Sequence, residues 1–254
     1  MIASLPMYLR AETRRALDDF WKATASALRN HGIAAPDALD HDAPVFETWG
    51  RSDLVLGQIC NLPYRTHFHD HVTLIAAADF GLPGAGPGHY YSHIIARADD
   101  ARETLADFDG AQFALNGTDS QSGWGAAWML FQDHDLSPGS YLGTGAHVNS
   151  ARAVAEGRAD FASIDAQTWA LIEQFDPVAR RLRIIARTPE SPGISFITAG
   201  DVDPTPYRAA LAEAFAACPR IADRPLGMRA AVPLPAAAYT GLPIPPRPID
   251  ASQG

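Results

Sequence analysis

The chain is poor in the residues on which several common functional readings depend. Its 254 residues include two cysteines, Cys60 and Cys218. They lie far apart and form no CxxC pair, which excludes a zinc ribbon or a dithiol redox motif. Two buried thiols are the plain reading, and pairing in an oxidising compartment is the alternative. No run of about 18 or more apolar residues occurs, so no membrane insertion is expected. The segment Met1–Tyr8 lacks the basic stretch, apolar core and small-residue cleavage site of a secretory signal. It reads as a short strand entering a charged helix. The chain as given is therefore expected to be soluble and unexported, unless a signal has been removed.

Clustered basic residues are missing as well. The formal net charge is −9, and no Lys/Arg run offers the footprint that a phosphate backbone requires, so nucleic acid is not an expected partner. An acidic protein can still hold a small anion through local dipoles and donors. Three enzyme signatures are absent: the GxSxG elbow, the P-loop and HExxH. Gly84–Gly88 is glycine-rich but is not GxGxxG, and it reads as a loop.

What is present is a globular composition, 47% hydrophobic and 19% charged, able to build a real core. Apolar residues Leu17, Trp21, Ala25 and Leu28 recur at helical spacing across 11–30, and His31-Gly32 stops that helix. Apolar runs at 53–60, 72–77, 90–97, 112–115, 160–164 and 182–186 read as strands. Helices are predicted at 99–105, at 124–131, after an Asn149 or Ser150 cap, after Asp165, and from Thr205 to about 217. The Pro-rich tail after Pro233 reads as irregular. Strands and helices alternate, which predicts an α/β architecture with mostly parallel sheets. Two extended segments, near 90–97 and 184–194, bracket a middle block in the manner of a lobe inserted into another. The expected boundaries are 1–91 with 190–254 for the first lobe and 92–189 for the second.

The sharpest local signal is Asn116-Gly-Thr-Asp-Ser-Gln-Ser-Gly-Trp124, between a predicted strand and a predicted helix. Unpaired N–H groups of a first helical turn, the hydroxyls of Ser120 and Ser122, and Gly123 would together cradle an anion without a cation. An ordinary serine N-cap is the competing reading. In Thr66–His71, His67, His69 and His71 would share one face of a strand. A polar turn accounts for them without a metal, and none is assigned.

Ser120-Gln-Ser-Gly123 resembles the Ser-Thr-Ser-Gly turn of PhnD-like phosphate/phosphite/phosphonate-binding proteins of ABC importers. Tyr91–Arg97 with Leu105–Gly110 resembles that family's crossover strand and following segment. Gly143-Thr-Gly-Ala-His147 and Ala153–Ala162 resemble its "G-x-H" and "AV-x-x-G-x-x-D-x-A" stretches. The serine turn departs in carrying Gln121 instead of Thr. The resemblance covers roughly residues 50–200. It implies a type II periplasmic-binding-protein fold, with two Rossmann-like α/β lobes joined by a two-strand hinge.

The resemblance further implies ligand contacts from Ser120, Gln121, Ser122, Gly123, His147 and Asp165 in one lobe and from Tyr8 and Tyr64 in the other. Asp165 also fits a helix N-cap, His147 a turn, and Tyr8 and Tyr64 core positions. The implied partners are a small oxyanion or phosphonate ligand and an ABC permease, with no cofactor and no catalytic residue. The implied location is the periplasm, or the cytoplasm if Met1 is the native start. Two alternatives keep the same fold. One is a cytoplasmic enzyme similar to menaquinone-pathway chorismate dehydratase, with Asn61, Ser122 and His147 as its polar groups. The other is a ligand-sensing module.

Overall fold

The structure, a computed structural model, describes residues 1–223 and 225–248 and the backbone of 252–253. In chain order its strands are β1 (Ile2–Ser4), β2 (Leu54–Ile59), β3 (Val72–Asp79), β4 (His89–Tyr90), β5 (Ser92–Arg97) and β6 (Gln112–Leu115). There follow β7 (Ser140–Gly143), β8 (Phe161–Asp165), β9 (Leu182–Arg187), β10 (Ser191–Pro192), β11 (Ser195–Ala199), β12 (Ala230–Val232) and β13 (Ser252–Gln253). The chain divides into two compact units, 1–89 with 192–242, and 90–191 with 243–254. The tail from Pro243 groups with the second unit, whereas the sequence reading left it with the first.

In the first unit the sheet order is β1-β2-β11-β3-β12. Among its described strands, β1 and β2 are the only directly paired neighbours that run parallel. β11 is antiparallel to both β2 and β3, and β12 is antiparallel to β3. The expectation of mostly parallel strands therefore fails in this sheet, because β11 and β12 arrive late in the chain from the far end. The helix Ala11–Asn30 buries Leu17, Phe20, Trp21, Ala25 and Leu28 on one stripe, as a 3.6-residue period requires. Phe20 meets Phe215 of the helix Thr205–Ala217 at 4.8 Å between ring centres. Gly32, at φ 77°, closes the first helix in the left-handed conformation that glycine adopts without steric cost. Elsewhere in this unit Trp49, Tyr64, Phe68, Ile197 and Tyr239 form a separate core cluster.

In the second unit the sheet order is β13-β7-β6-β8-β5-β9. β13, β7, β6 and β8 are mutually parallel, and β5 and β9 complete the sheet in antiparallel fashion. Alternation along the strands builds two cores. Ile94, Ala96, Phe113, Leu115 and Phe161 face one side, with Trp124 and Phe131 packed against them. Ile95, Ala114, Ala162 and Ile164 face the other, beneath Val154, Trp169 and Ile172. A period of two along each strand makes both faces apolar, as a sheet covered on both sides needs.

Three local expectations are corrected. Residues 99–104 are not helical, and only a 3₁₀ turn at Leu105–Phe108 follows. Asp100 Oδ1 accepts the Arg102 N–H at 3.0 Å, and Arg102 reaches both Asp100 and Asp160 at 2.7 Å. Those bonds divert the donor that a helix would have used. Residues Tyr64–Phe68 wind as a π-helical turn, closed by the His69 N–H donating to the Tyr64 carbonyl at 2.8 Å. The three histidines are therefore not strand neighbours, and among the described residues no group of three or more His, Cys, Asp or Glu side chains could hold a metal ion. The helix expected after Asn149 or Ser150 starts at His147, with Ala146 at its N-cap. Asn149 instead donates to the Thr144 carbonyl at 3.0 Å, and Ser150 shares a 2.6 Å hydroxyl contact with Thr144.

Candidate functional site

Within the second unit, β6, β7 and β8 lie side by side and parallel, so their carboxyl ends share one edge of the sheet. A helical segment starts just beyond each: the π-turn Gln121–Gly125 leading into Ala126–Asp133, the helix His147–Ala155, and the helix Ala166–Phe175. Helix N-termini carry unpaired N–H groups and a partial positive charge, and the carboxyl edge of parallel strands is where such folds bind ligands. Ser120–Gly123, His147 and Asp165 stand at these starts. The sequence contains no Lys or Arg between Arg102 and Arg152. That stretch can therefore meet an anion only with dipoles and hydroxyls.

The serine turn is rigidly framed. Ser120 caps it, its hydroxyl accepting the Gly123 N–H at 3.0 Å, so the competing capping role is present in the fold. The Trp124 and Gly125 N–H groups both donate to the Ser120 carbonyl at 3.0 Å, which winds the turn to π pitch. The Ser122 carbonyl accepts from Ser92 Oγ at 2.9 Å and from Ser163 Oγ at 2.6 Å. Both serines are wholly buried and sit on the sheet face that carries Ile94, Ala96 and Phe161. A buried hydroxyl without a partner is costly, so this pairing fixes the turn against the sheet. Neither Ser92 nor Ser163 was singled out from sequence. Their signal there was a single polar residue at an inward position of an otherwise apolar strand.

Ser122 Oγ lies 2.9 Å from His147 Nε2 and 3.4 Å from Ser120 Oγ. Burial holds the His147 imidazole down to about 4, so the ring is neutral at neutral pH. Gln121 is fully buried and its amide donates to Ser191 Oγ at 3.4 Å. Gly123 is needed for close approach, but to a protein group: a Cβ there would stand 1.7 Å from Asn116 Oδ1. That amide oxygen is buried without a hydrogen-bond partner. Asp165 ends β8, is nearly fully buried, and accepts the Thr168 N–H at 2.6 Å as the cap of the next helix.

Tyr8 and Tyr64 belong to the first unit. Tyr8 follows β1, is buried, and meets Phe80 edge-on at 4.9 Å. Tyr64 opens the π-turn after Asn61–Pro63 and meets Tyr239 edge-on at 5.3 Å, and burial raises its phenol above the usual range. Arg65, beside it, is buried and donates through Nη1 to Asn61 Oδ1 at 2.6 Å. Arg65 was not singled out from sequence. No disulfide joins Cys60, which is buried, to Cys218, which is partly exposed.

Comparison with known proteins agrees with this architecture. XAC2383 from Xanthomonas citri, solved with chloride bound, matches at a TM-score of 0.69 and 16% identity, covering 95% of this chain and 94% of its own. The same protein solved with ATP bound gives 0.68 and 17%. PhnD1 from Prochlorococcus marinus, in complex with methylphosphonate, matches at 0.70 and 13%, covering 95% and 94%. A binding-protein component of an ABC phosphonate transporter from Pseudomonas aeruginosa matches at 0.59 and 16%, covering 84% and 78%. At such identities these likenesses establish the periplasmic-binding-protein fold. No curated protein sequence matches significantly. No helix among the described residues is long and apolar enough to cross a membrane. The model of the family described as "ABC transporter, phosphonate, periplasmic substrate-binding protein" matches residues 50–229. That span exceeds half of the chain, which therefore belongs to this family of solute-binding proteins and is not an enzyme.

Proposed function

We propose that the chain binds a phosphate, phosphite or phosphonate oxyanion for delivery to an ABC permease. The observation that carries this reading is the convergence of three helix starts, the Ser120–Gly123 turn being the first, at the carboxyl edge of β6, β7 and β8. In the tautomer of the neutral His147 ring that carries its proton at Nε2, the ring would donate to Ser122 Oγ and leave the hydroxyl proton for a ligand oxygen. The Gly123, Trp124 and Gly125 N–H groups are already held by Ser120, so the remaining donors would come from the other N–H groups of the turn and from the helix start at His147. The Asp165 carboxylate, repulsive toward a bare anion, suits a ligand that presents a P–OH or an amine. Charge-assisted hydrogen bonds contribute roughly 1.5–3 kcal/mol each. Four or five, less ordering costs, reach the roughly −8 kcal/mol of a micromolar complex.

The test is calorimetry against phosphate, phosphite, methylphosphonate, 2-aminoethylphosphonate and sulfate, with Ser122→Ala alongside. One phosphorus oxyanion should bind, and Ser122→Ala should weaken it about tenfold or more through loss of a charge-assisted donor. Equal affinity in the variant would remove Ser122 from the site. Binding of none of the phosphorus compounds would overturn the ligand class.

A further inference from the structure

The segment after Leu242 is Pro243-Ile-Pro-Pro-Arg-Pro248, and its first four residues read P-x-x-P. Such a sequence favours the polyproline II conformation, whose carbonyls stay free to accept hydrogen bonds and which docks on aromatic grooves. In this fold the indole Nε1 of Trp124 donates to the Pro246 carbonyl at 2.8 Å. Farther along, β13 adds itself parallel to β7, pairing Ser252 with Leu142 and Gln253 with Gly143, and so covers what would be the edge of the sheet. The tail is thus held by two recognised modes of peptide docking, both to elements of its own unit.

Two further features show that the docking is shallow. Of residues 243–248, only Pro245 is buried. Tail residues Pro246 and Arg247 line a half-open pocket of about 410 Å³ together with Trp124, Trp128, Phe131 and Tyr141, so the tail does not fill the space beside these rings. Few buried apolar contacts mean a low free energy of local opening. Yet the residue the tail grips lies two positions from Ser122, inside the π-turn, where its ring also meets Tyr141 at 5.4 Å and Phe113 at 6.3 Å.

We propose that residues 243–248, with β13 beyond them, act as a detachable strap, and that docking of Pro246 on Trp124 sets the geometry of the Ser120–Gly123 turn and so its anion affinity. Trp124 is here a positioning residue, acting through Ser122 and Gly123. The coupling is reciprocal: an anion held by the turn must tighten the strap by the factor by which the strap tightens the anion. The inference rests on the oxyanion reading for its ligand arm and stands apart from it for its structural arm.

The experiment compares the full chain, a chain ending at Leu242, and full-length Trp124→Phe, with a synthetic peptide of residues 243–254 and methylphosphonate as the probe. Truncation should weaken methylphosphonate about three- to tenfold, the worth of one positioning hydrogen bond. The peptide should restore that affinity in the truncated chain, and should fail to do so when that chain also carries Trp124→Phe. Unchanged affinity after truncation, or rescue that ignores Trp124, overturns the coupling. If truncation prevents folding, full-length Trp124→Phe decides alone: it should show the same loss, and wild-type affinity refutes the strap. If the full chain binds no phosphorus oxyanion, the ligand reading fails and hydrogen exchange judges the strap. Amides of 121–126 should exchange faster in the truncated chain and slow again with peptide, and identical protection in all three samples refutes it.

Discussion

Gly123→Ala isolates the packing logic of the serine turn. The glycine lies in a π-helical stretch at the start of a helix. Helix propensity alone would favour alanine there by about 1 kcal/mol. The surroundings oppose it. A Cβ would stand 1.7 Å from Asn116 Oδ1, 2.9 Å from Asn116 Cγ and 3.2 Å from Ser120 Oγ. The first overlap exceeds anything a small relaxation absorbs, so either Asn116 leaves its place or the turn moves off the Ser92 and Ser163 hydroxyls. Overpacking of this kind costs about 1–3 kcal/mol and occasionally more, which outweighs the propensity gain. The variant should therefore unfold at a lower urea midpoint with an unchanged slope. Because the obstacle is a side chain, Asn116→Ala should relieve it. The double variant should be more stable than Gly123→Ala alone, with a coupling of about 1 kcal/mol or more. A Gly123→Ala protein as stable as the parent, or one that Asn116→Ala fails to rescue, would refute this account of the turn.

Three further outcomes are expected. Ser92→Ala and Ser163→Ala should each lower stability by about 0.5–1.5 kcal/mol, and together by more than the sum, because both hydroxyls serve one carbonyl; a double-mutant cycle in urea that proves strictly additive contradicts this. The buried ring of His147 titrates near 4 in the fold, against about 6.5 in an unfolded chain. Between those values the unfolded state binds a proton that the folded state refuses, so stability falls as pH drops from about 6.5 to 4, by up to about 3 kcal/mol from this group. His147→Asn should flatten that fall, leaving the part due to His93, which burial also lowers to about 4; an unchanged profile from pH 7 to 4.5 removes His147 as the cause. Asp165→Ala should cost about 1 kcal/mol as a lost helix cap while Asp165→Asn costs less, and equal losses in thermal unfolding would show that charge, not capping, is what matters there.

How much of this was legible in the sequence depends on the range of the contacts that decide each element. The helix 11–30 and the strand 112–115 were read at their correct ends, because their periodicity and stop signals are local. The 99–105 segment was misread because Asp160, distant in sequence, shares Arg102 with Asp100. The histidine run was open between a strand face and a polar turn, because alternation alone cannot distinguish the two, and it winds as a turn. β7 was not foreseen, for Ser140-Tyr-Leu-Gly143 has little apolar character and becomes a strand by lying between β6 and the tail. At the candidate site, the serine turn and its helix start were visible as a motif. The hydroxyls that hold its carbonyl were not, since they come from strands 30 and 41 residues away.

That division bears on how a turn with no cation of its own would hold an anion. Between Arg102 and Arg152 no side chain carries a fixed positive charge, and His147 is neutral. Any hold on an anion there must come from oriented N–H and O–H dipoles. A dipole that can turn away is worth little, whereas one locked in place has already met its ordering cost before the ligand arrives. On the proposed oxyanion reading, the residues that would matter most for affinity are of two kinds: those that touch the ligand, and those that stop the turn from relaxing. Ser92 and Ser163 hold its carbonyl, Asn116 packs against its glycine, and Trp124 joins it to the tail. None of these four would be found by searching for charge. Each follows from asking where a buried polar group on the turn sends its hydrogen bond, or what would fill the space beside it.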